Sequence, residues 1–221
     1  GGDPLGMEGL ELGNGLKTAY AYDPLTRRLC ALDTAKDAQA TACRNFESTP
    51  DTAPGLQALV YQYDAVGNIT GLRNTVAVPP ANTFGGPVRQ RFGYDALYRL
   101  THAEGSYRTS PNTQRDYQLE MAYDSIHNIT SKQQADRVTQ PGGAAITQKK
   151  TSYAWTFDYA PSGPASVRPH APIHIGERAY QYDANGNIMA VTNVLDATKN
   201  KSFTYDALDR LATATGSWGS L

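Results

Sequence analysis

Four histidines and a recurring aspartate are the side chains with which this sequence could do chemistry. His170 and His174 stand four positions apart with Glu177 beyond them, the spacing of a metal site on one face of a helix. Pro169 and Pro172 interrupt a helix there, and on a strand positions four apart are separated by about 13 Å. One ion does not bridge that distance, so these residues read as surface strand histidines. His102 follows a turn and reads as exposed; His127 lies within one. Asp64, Asp95, Asp124, Asp183 and Asp206 invite a paired-carboxylate reading. Each, however, holds the same place in a repeated turn, opposite Asn or Arg, which is a structural placement. No Ser or Cys stands in a local nucleophile motif, and the glycines form no phosphate cradle. The expectation is a chain that is not an enzyme and has no catalytic, cofactor-binding or metal-ligating residues.

The elements that place these aspartates are written as a repeat. Six segments carry Tyr-Asp and a short turn: AYDPLTRRL from Ala21, QYDAVGNI from Gln62, GYDALYRL from Gly93, AYDSIHNI from Ala122, QYDANGNI from Gln181 and TYDALDRL from Thr204. Two worn copies complete the series, DPLG at Asp3 and TFDYAP at Thr156, with Phe157 in the tyrosine place. A large residue stands two positions before each ring, as Tyr61 before Tyr63 and Tyr180 before Tyr182. That spacing sets both side chains on one face of a strand, with the smaller residue between them on a wetter face. A helix would separate the two rings by about 200°.

After the rings comes the turn. Asp accepts backbone N–H bonds at its first place, and Gly67 or Gly186 takes the left-handed position. Tyr98, His127 and Asp209 hold that position where Gly is absent. The hairpin then pairs Tyr63 with Ile69, Tyr94 with Leu100, Tyr123 with Ile129, Tyr182 with Ile188 and Tyr205 with Leu211. The first copy, with Tyr22 and Leu29 seven apart, needs a loop one residue longer. Between hairpins, GLRNTVAVPP reads as a short strand ending at Pro79-Pro80, and VTQPGGAAIT as a hairpin turning at Pro141-Gly142-Gly143.

Composition agrees with an all-β chain. Its 221 residues include 20 Gly, 13 Pro and 14 Tyr, with 19% charged residues and a net charge of -1. That balance favours turns and strands over helices. The longest basic runs are pairs, Arg27-Arg28 and Lys149-Lys150, which excludes a broad nucleic-acid surface. No apolar run approaches the roughly 20 residues of a membrane span, and GGDPLGMEGL has neither the charged nor the apolar region of a signal peptide. Without an initiator Met the sequence reads as a piece of a longer chain. Cys30 and Cys43 either close one loop in an oxidising compartment or remain thiols. A single repeat region is expected over residues 1–221, with residues 31–54, rich in Ala, Asp and Thr, as a surface insertion holding up to one helical turn.

YQYDAVGNIT, FGYDALYRLT, YQYDANGNIM and FTYDALDRLA resemble the YD repeats of the RHS family, found in bacterial polymorphic toxins, in the B and C components of insecticidal toxin complexes and in teneurins. The likeness runs from Asp3 to Leu211 and beyond. It implies β-hairpins laid side by side in a curved, spiralling antiparallel sheet, a segment of a hollow shell enclosing a C-terminal toxin domain until delivery. Partners implied are the rest of the shell and that toxin, with self-association through open sheet edges; localisation implied is a secreted or delivered bacterial toxin complex assembled in the cytoplasm. Family cores end in a self-cleaving region near a DPxGL motif. DPLGM stands here at the start, so Asp3 to Gly6 reads as a worn turn and no self-cleavage is expected. The alternative is an extracellular carbohydrate-binding or adhesive module, its sugars lying on tyrosine faces. Exposure of Tyr61, Tyr63, Tyr180 and Tyr182 discriminates the two.

Overall fold

The computed structural model describes residues 7–40, 42–80, 85–110, 112–161, 163 and 167–220. The worn turn at Asp3 to Gly6 lies outside them. The described residues form strands joined by turns, with one 3-10 turn at Ala197–Lys199. No helix among them is long and apolar enough to cross a membrane. The chain divides into two compact units, one of residues 1–120 and 134–152, the other of residues 121–133 and 153–221.

In the first unit β1 (Gly9–Glu11), β2 (Lys17–Tyr22), β3 (Leu29–Ala35), β4 (Gln57–Tyr63), β5 (Ile69–Asn74), β6 (Val88–Tyr94) and β7 (Leu100–Ser110) pair antiparallel in chain order. Next to β7 runs β8 (Thr113–Tyr123), and β9 (Ile129–Thr139) pairs with β10 (Ile146–Thr147). In the second unit β11 (Tyr153–Tyr159), β12 (Pro172–Ile175), β13 (Arg178–Tyr182), β14 (Ile188–Asn193), β15 (Lys201–Tyr205), β16 (Leu211–Gly216) and β17 (Gly219–Ser220) continue the same antiparallel plan. Within each YD hairpin the pairing follows from the short turn, since a two-strand ribbon closed by a tight loop must run antiparallel.

The expected register is present: Tyr63 faces Ile69, Tyr94 faces Leu100, Tyr182 faces Ile188 and Tyr205 faces Leu211. One residue before each of these tyrosines the register slips, leaving Thr70, Thr101, Met189 and Ala212 unpaired on the return strands. Such a bulge adds local twist to the ribbon. The first hairpin slips likewise between Ala21 and Tyr22, with Cys30 the extra residue. The connector after β5 departs from expectation: the strand ends at Asn74, and Val76 forms a parallel bridge with Ala53 well before Pro79-Pro80. The turn near Pro141 forms as expected, with Gly143 N donating to Gln140 O at 3.1 Å.

Burial in the first unit corrects one expectation. Ala21, Ala31, Ala58 and Val60, at 6%, 0%, 1% and 0% exposure, are enclosed on the face opposite Tyr61 and Tyr63, whereas on the ring-bearing face a position enclosed to a like degree is Ala103, opposite Phe92, at 3%. The reason is a strap. β3 continues through Ala35, and the connector that follows folds back across this second face. The Cys30–Cys43 disulfide fixes its early part, and Phe46 is buried against Gly71, where a Cβ would stand 2.6 Å from the ring. Arg73 donates to the carbonyl of Phe46 at 2.7 Å and to Asp51 at 2.8 Å. Arg89 and Arg91 lie over the Phe46 ring at 5.2 and 5.4 Å, and both are bonded to Glu47. The strap's one helical turn is present as the bond from Thr49 N to Asn45 O at 3.1 Å.

Candidate functional site

The repeated turn is the unit from which any site here is built. In the hairpin at Asp64, one carboxylate oxygen accepts the backbone N–H groups of Val66, Gly67 and Asn68 at 3.1, 2.7 and 2.8 Å, and the other accepts the Asn68 side chain at 2.8 Å. The same cage forms at Asp124 with Asn128 and at Asp183 with Asn187. At Asp95 and Asp206 the partner is Arg99 or Arg210, through its Nε at 2.7 or 2.8 Å. Each carboxylate thereby holds its own loop closed, the placement of a structural turn residue. The fourth turn position is left-handed throughout: Gly67, Tyr98, His127, Gly186 and Asp209 have φ of 110°, 61°, 71°, 96° and 57°. The longer first loop places Arg27 there, at φ 59°.

Hairpins are joined to one another by the tyrosine itself. Tyr63 donates its hydroxyl to the carbonyl of Leu29 at 2.8 Å, and Leu29 is the residue paired with Tyr22 in the preceding hairpin. Tyr94 does the same to Ile69 at 2.8 Å, and Tyr205 to Ile188 at 3.1 Å. Burial pushes the Tyr63, Tyr94 and Tyr182 hydroxyls above the ordinary phenol range, which keeps them protonated donors.

This latch corrects the reading of the worn unit at Thr156. The bulge falls between Asp158 and Tyr159, and Tyr159 pairs with Pro172 and donates to Ile129 O at 3.1 Å. Tyr182 in turn donates to Pro172 O at 2.9 Å. Tyr159, two places beyond Phe157, is therefore the tyrosine of this unit, and Phe157 is its preceding ring. A long loop separates Tyr159 from Pro172, which hid the pairing from a search for a short turn.

Neighbouring turns also touch. Arg28 donates to Asp64 O at 2.7 Å while lying over the Tyr63 ring, and Arg168 donates to Asp183 O. Asn185 and Asn187 each reach Asp209 at 2.8 Å. His170 sits 2.8 Å from Asn128 Oδ1, and Asn128 donates to Pro169 O at 2.8 Å.

These contacts account for the histidines. His170 belongs to a turn, while His174 lies on β12 with Asp158 4.0 Å away. Among the described residues no group of three or more His, Cys, Asp or Glu is placed to hold a metal. His102 is 2.6 Å from Glu120 on the neighbouring strand. Tyr61, Tyr63, Tyr180 and Tyr182 are all half-buried, between the enclosed and open outcomes that the two readings required. Two of the four, Tyr63 and Tyr182, have their hydroxyls engaged in latches.

Residues 182–219 match the family model of the RHS repeat. No curated protein matches the chain. Among solved structures, the chain is similar to the crystal structure of TcdB2-TccC3 without its hypervariable C-terminal region, at 20% identity and a TM-score of 0.47; the match covers 92% of this chain and 10% of that one. The matched residues hold the last two YD hairpins, closed at Asp183 and Asp206 by the same caged carboxylate as Asp64, Asp95 and Asp124. Over residues 182–219 the chain therefore carries an RHS, or YD, repeat.

Proposed function

We propose that the chain is a wall segment of an RHS-type shell that contains a toxic polypeptide until delivery, and that it has no catalytic activity of its own. Its partners are then the remainder of the shell and an enclosed C-terminal toxin domain, within a secreted or delivered bacterial toxin complex. The observation that carries the reading is the latch, because the hydroxyl bonds of Tyr63, Tyr94, Tyr159, Tyr182 and Tyr205 to the preceding unit commit these tyrosines to lateral cohesion. Repetition in which each unit contacts mainly its neighbours yields a wall of any length. The whole region of residues 1–221 serves this one role, with the part of residues 31–54 that follows β3 as an insertion upon it.

Protease protection in the parent polypeptide tests this. The segment following the repeats should resist digestion under native conditions and become sensitive together with the repeats when Tyr63, Tyr94 and Tyr182 are all changed to Phe. A parent protein whose following segment is digested natively as fast as an open linker would remove the containment reading.

A further inference from the structure

Across the second unit, cations and rings alternate on the face that bears the YD tyrosines. Trp155 is stacked on Tyr153 with centroids 4.1 Å apart, and the Arg178 guanidinium lies 5.9 Å from its ring. The strand register then carries one row from Tyr180 through Val191 to Lys201 and Gly216. Trp218 folds back over Gly216, where a Cβ would stand 2.5 Å from the indole, and Lys201 lies 5.2 Å from that ring. Two depressions follow this row. One, of about 450 Å³, lies between Tyr180, Phe203 and Trp218, and its cations are Arg178, Lys199 and Lys201, with no carboxylate in its described lining. The other, of about 390 Å³, lies at Trp155 and shares Arg178, Asn193 and Lys199; its one carboxylate is Glu177. Lys199 also meets Asp196 at 3.2 Å, at a side chain two-thirds exposed.

We propose that this groove binds an extended acidic polypeptide segment with an apolar residue at each end. The ring edges of the half-buried Trp155 and of Trp218, 51% exposed, receive the ends, and Arg178, Lys199 and Lys201 receive the carboxylates between them. Six strands at a spacing of about 4.8 Å make the row about 24 Å long, the span of about seven extended residues. Sign and shape together select the class. A single-stranded nucleic acid needs open ring faces for base stacking and a wide basic field. Here Trp155 carries Tyr153 and Arg178, Trp218 lies between Gly216 and Lys201, and the whole chain has a net charge of -1. A sugar platform needs the same open faces. A carboxylate needs only the cations, which the rings hold in place.

The chain's two tryptophans are both in the groove, so its own fluorescence reports occupancy. The probe is a synthetic peptide of alternating aspartate and glutamate with leucine at each end, titrated into the whole chain at low salt. A saturable change is expected, lost for the Asn/Gln version of the peptide and weakened by about 1 M salt. Lys201→Gln and, separately, Lys199→Gln should each weaken binding by about tenfold while leaving the far-ultraviolet circular dichroism unchanged. No saturable change in a folded chain overturns the proposal, as does tighter binding of oligothymidylate or of heparin than of the peptide. Neither result bears on protease protection in the parent polypeptide, so this groove and the containment reading fail separately.

Discussion

The Tyr94 hydroxyl donates to the carbonyl of Ile69 across 2.8 Å, and Ile69 is the residue that faces Tyr63, the tyrosine of the hairpin before. A ring that packs within its own hairpin thus bonds to its neighbour's closing residue. Tyr94→Phe keeps the ring and removes that bond, leaving a part-buried carbonyl, and should destabilise by about 1 kcal/mol. Tyr61→Phe, at a ring on the same face without this role, should be near neutral. Urea midpoints of the two variants measure the difference; equal shifts would deny the latch an energetic role.

Tyr98 holds the left-handed turn position at φ 61° and is 59% exposed. Left-handed backbone disfavours an L side chain by about 1–2 kcal/mol, while glycine gives back about 0.5–1 kcal/mol in unfolded-chain entropy. Tyr98→Gly should therefore stabilise by up to about 1 kcal/mol. Gly186→Val should destabilise more than Ala184→Val, because Gly186 has φ 96°. Denaturant titration in which Tyr98→Gly loses stability would contradict this turn geometry.

The caged carboxylates set a pH dependence. Asp95 is held below the usual carboxylate range by the Arg99 backbone N–H first, Asp183 by the Asn187 side chain and Asp206 by the Arg210 side chain. At Asp64 and Asp124 desolvation is the largest influence and pushes upward, yet the surrounding N–H donors outweigh it and the net shift is downward. A folded-state pKa below the unfolded one contributes stability that is present above the unfolded value of about 4 and lost as pH falls through the folded value. Urea midpoints should hold steady from neutrality to about pH 5 and decline below about pH 4. In Asp206→Asn the decline should be shallower, and an unchanged acid limb would show that this cage titrates alike folded and unfolded.

The strap supplies a separate test. The Cys30–Cys43 bond spans 13 positions, and closing a loop of that size is worth about 3 kcal/mol in the chain-entropy account. Cys43→Ser should lower the urea midpoint accordingly, and trypsin should then cut at Lys36 or Arg44 before it cuts the hairpins. Phe46→Ala should cost about 3–5 kcal/mol through the cavity left over Gly71. A Phe46→Ala chain as stable as its parent would show that the strap rests on the sheet without holding it.

The hairpin was legible because its instructions are local. Rings two apart, an aspartate, a left-handed residue and an aliphatic partner lie within nine positions, and turn chemistry reads such spans directly. The latch was hidden because donor and acceptor lie 34 positions apart at Tyr63 and Leu29 and only 17 apart at Tyr205 and Ile188. An acceptor that is a backbone carbonyl leaves no residue type to recognise. The bulged position was invisible for the same reason, since Cys30, Thr70, Met189 and Ala212 share no property. At Phe157-Asp158 local wording misled outright, because it imitates the motif two places early. The strap's burial of Phe46 depends on contacts with Gly71 and Arg73 from a later hairpin, which composition does not encode.

The hydroxyl bonds have a direction. Each runs from a later tyrosine to an earlier carbonyl, as Tyr63 to Leu29, Tyr94 to Ile69, Tyr182 to Pro172 and Tyr205 to Ile188. The bonding is thus polar along the sequence: a hairpin lost early deprives its successor of a docking point, while one lost late leaves every earlier bond intact.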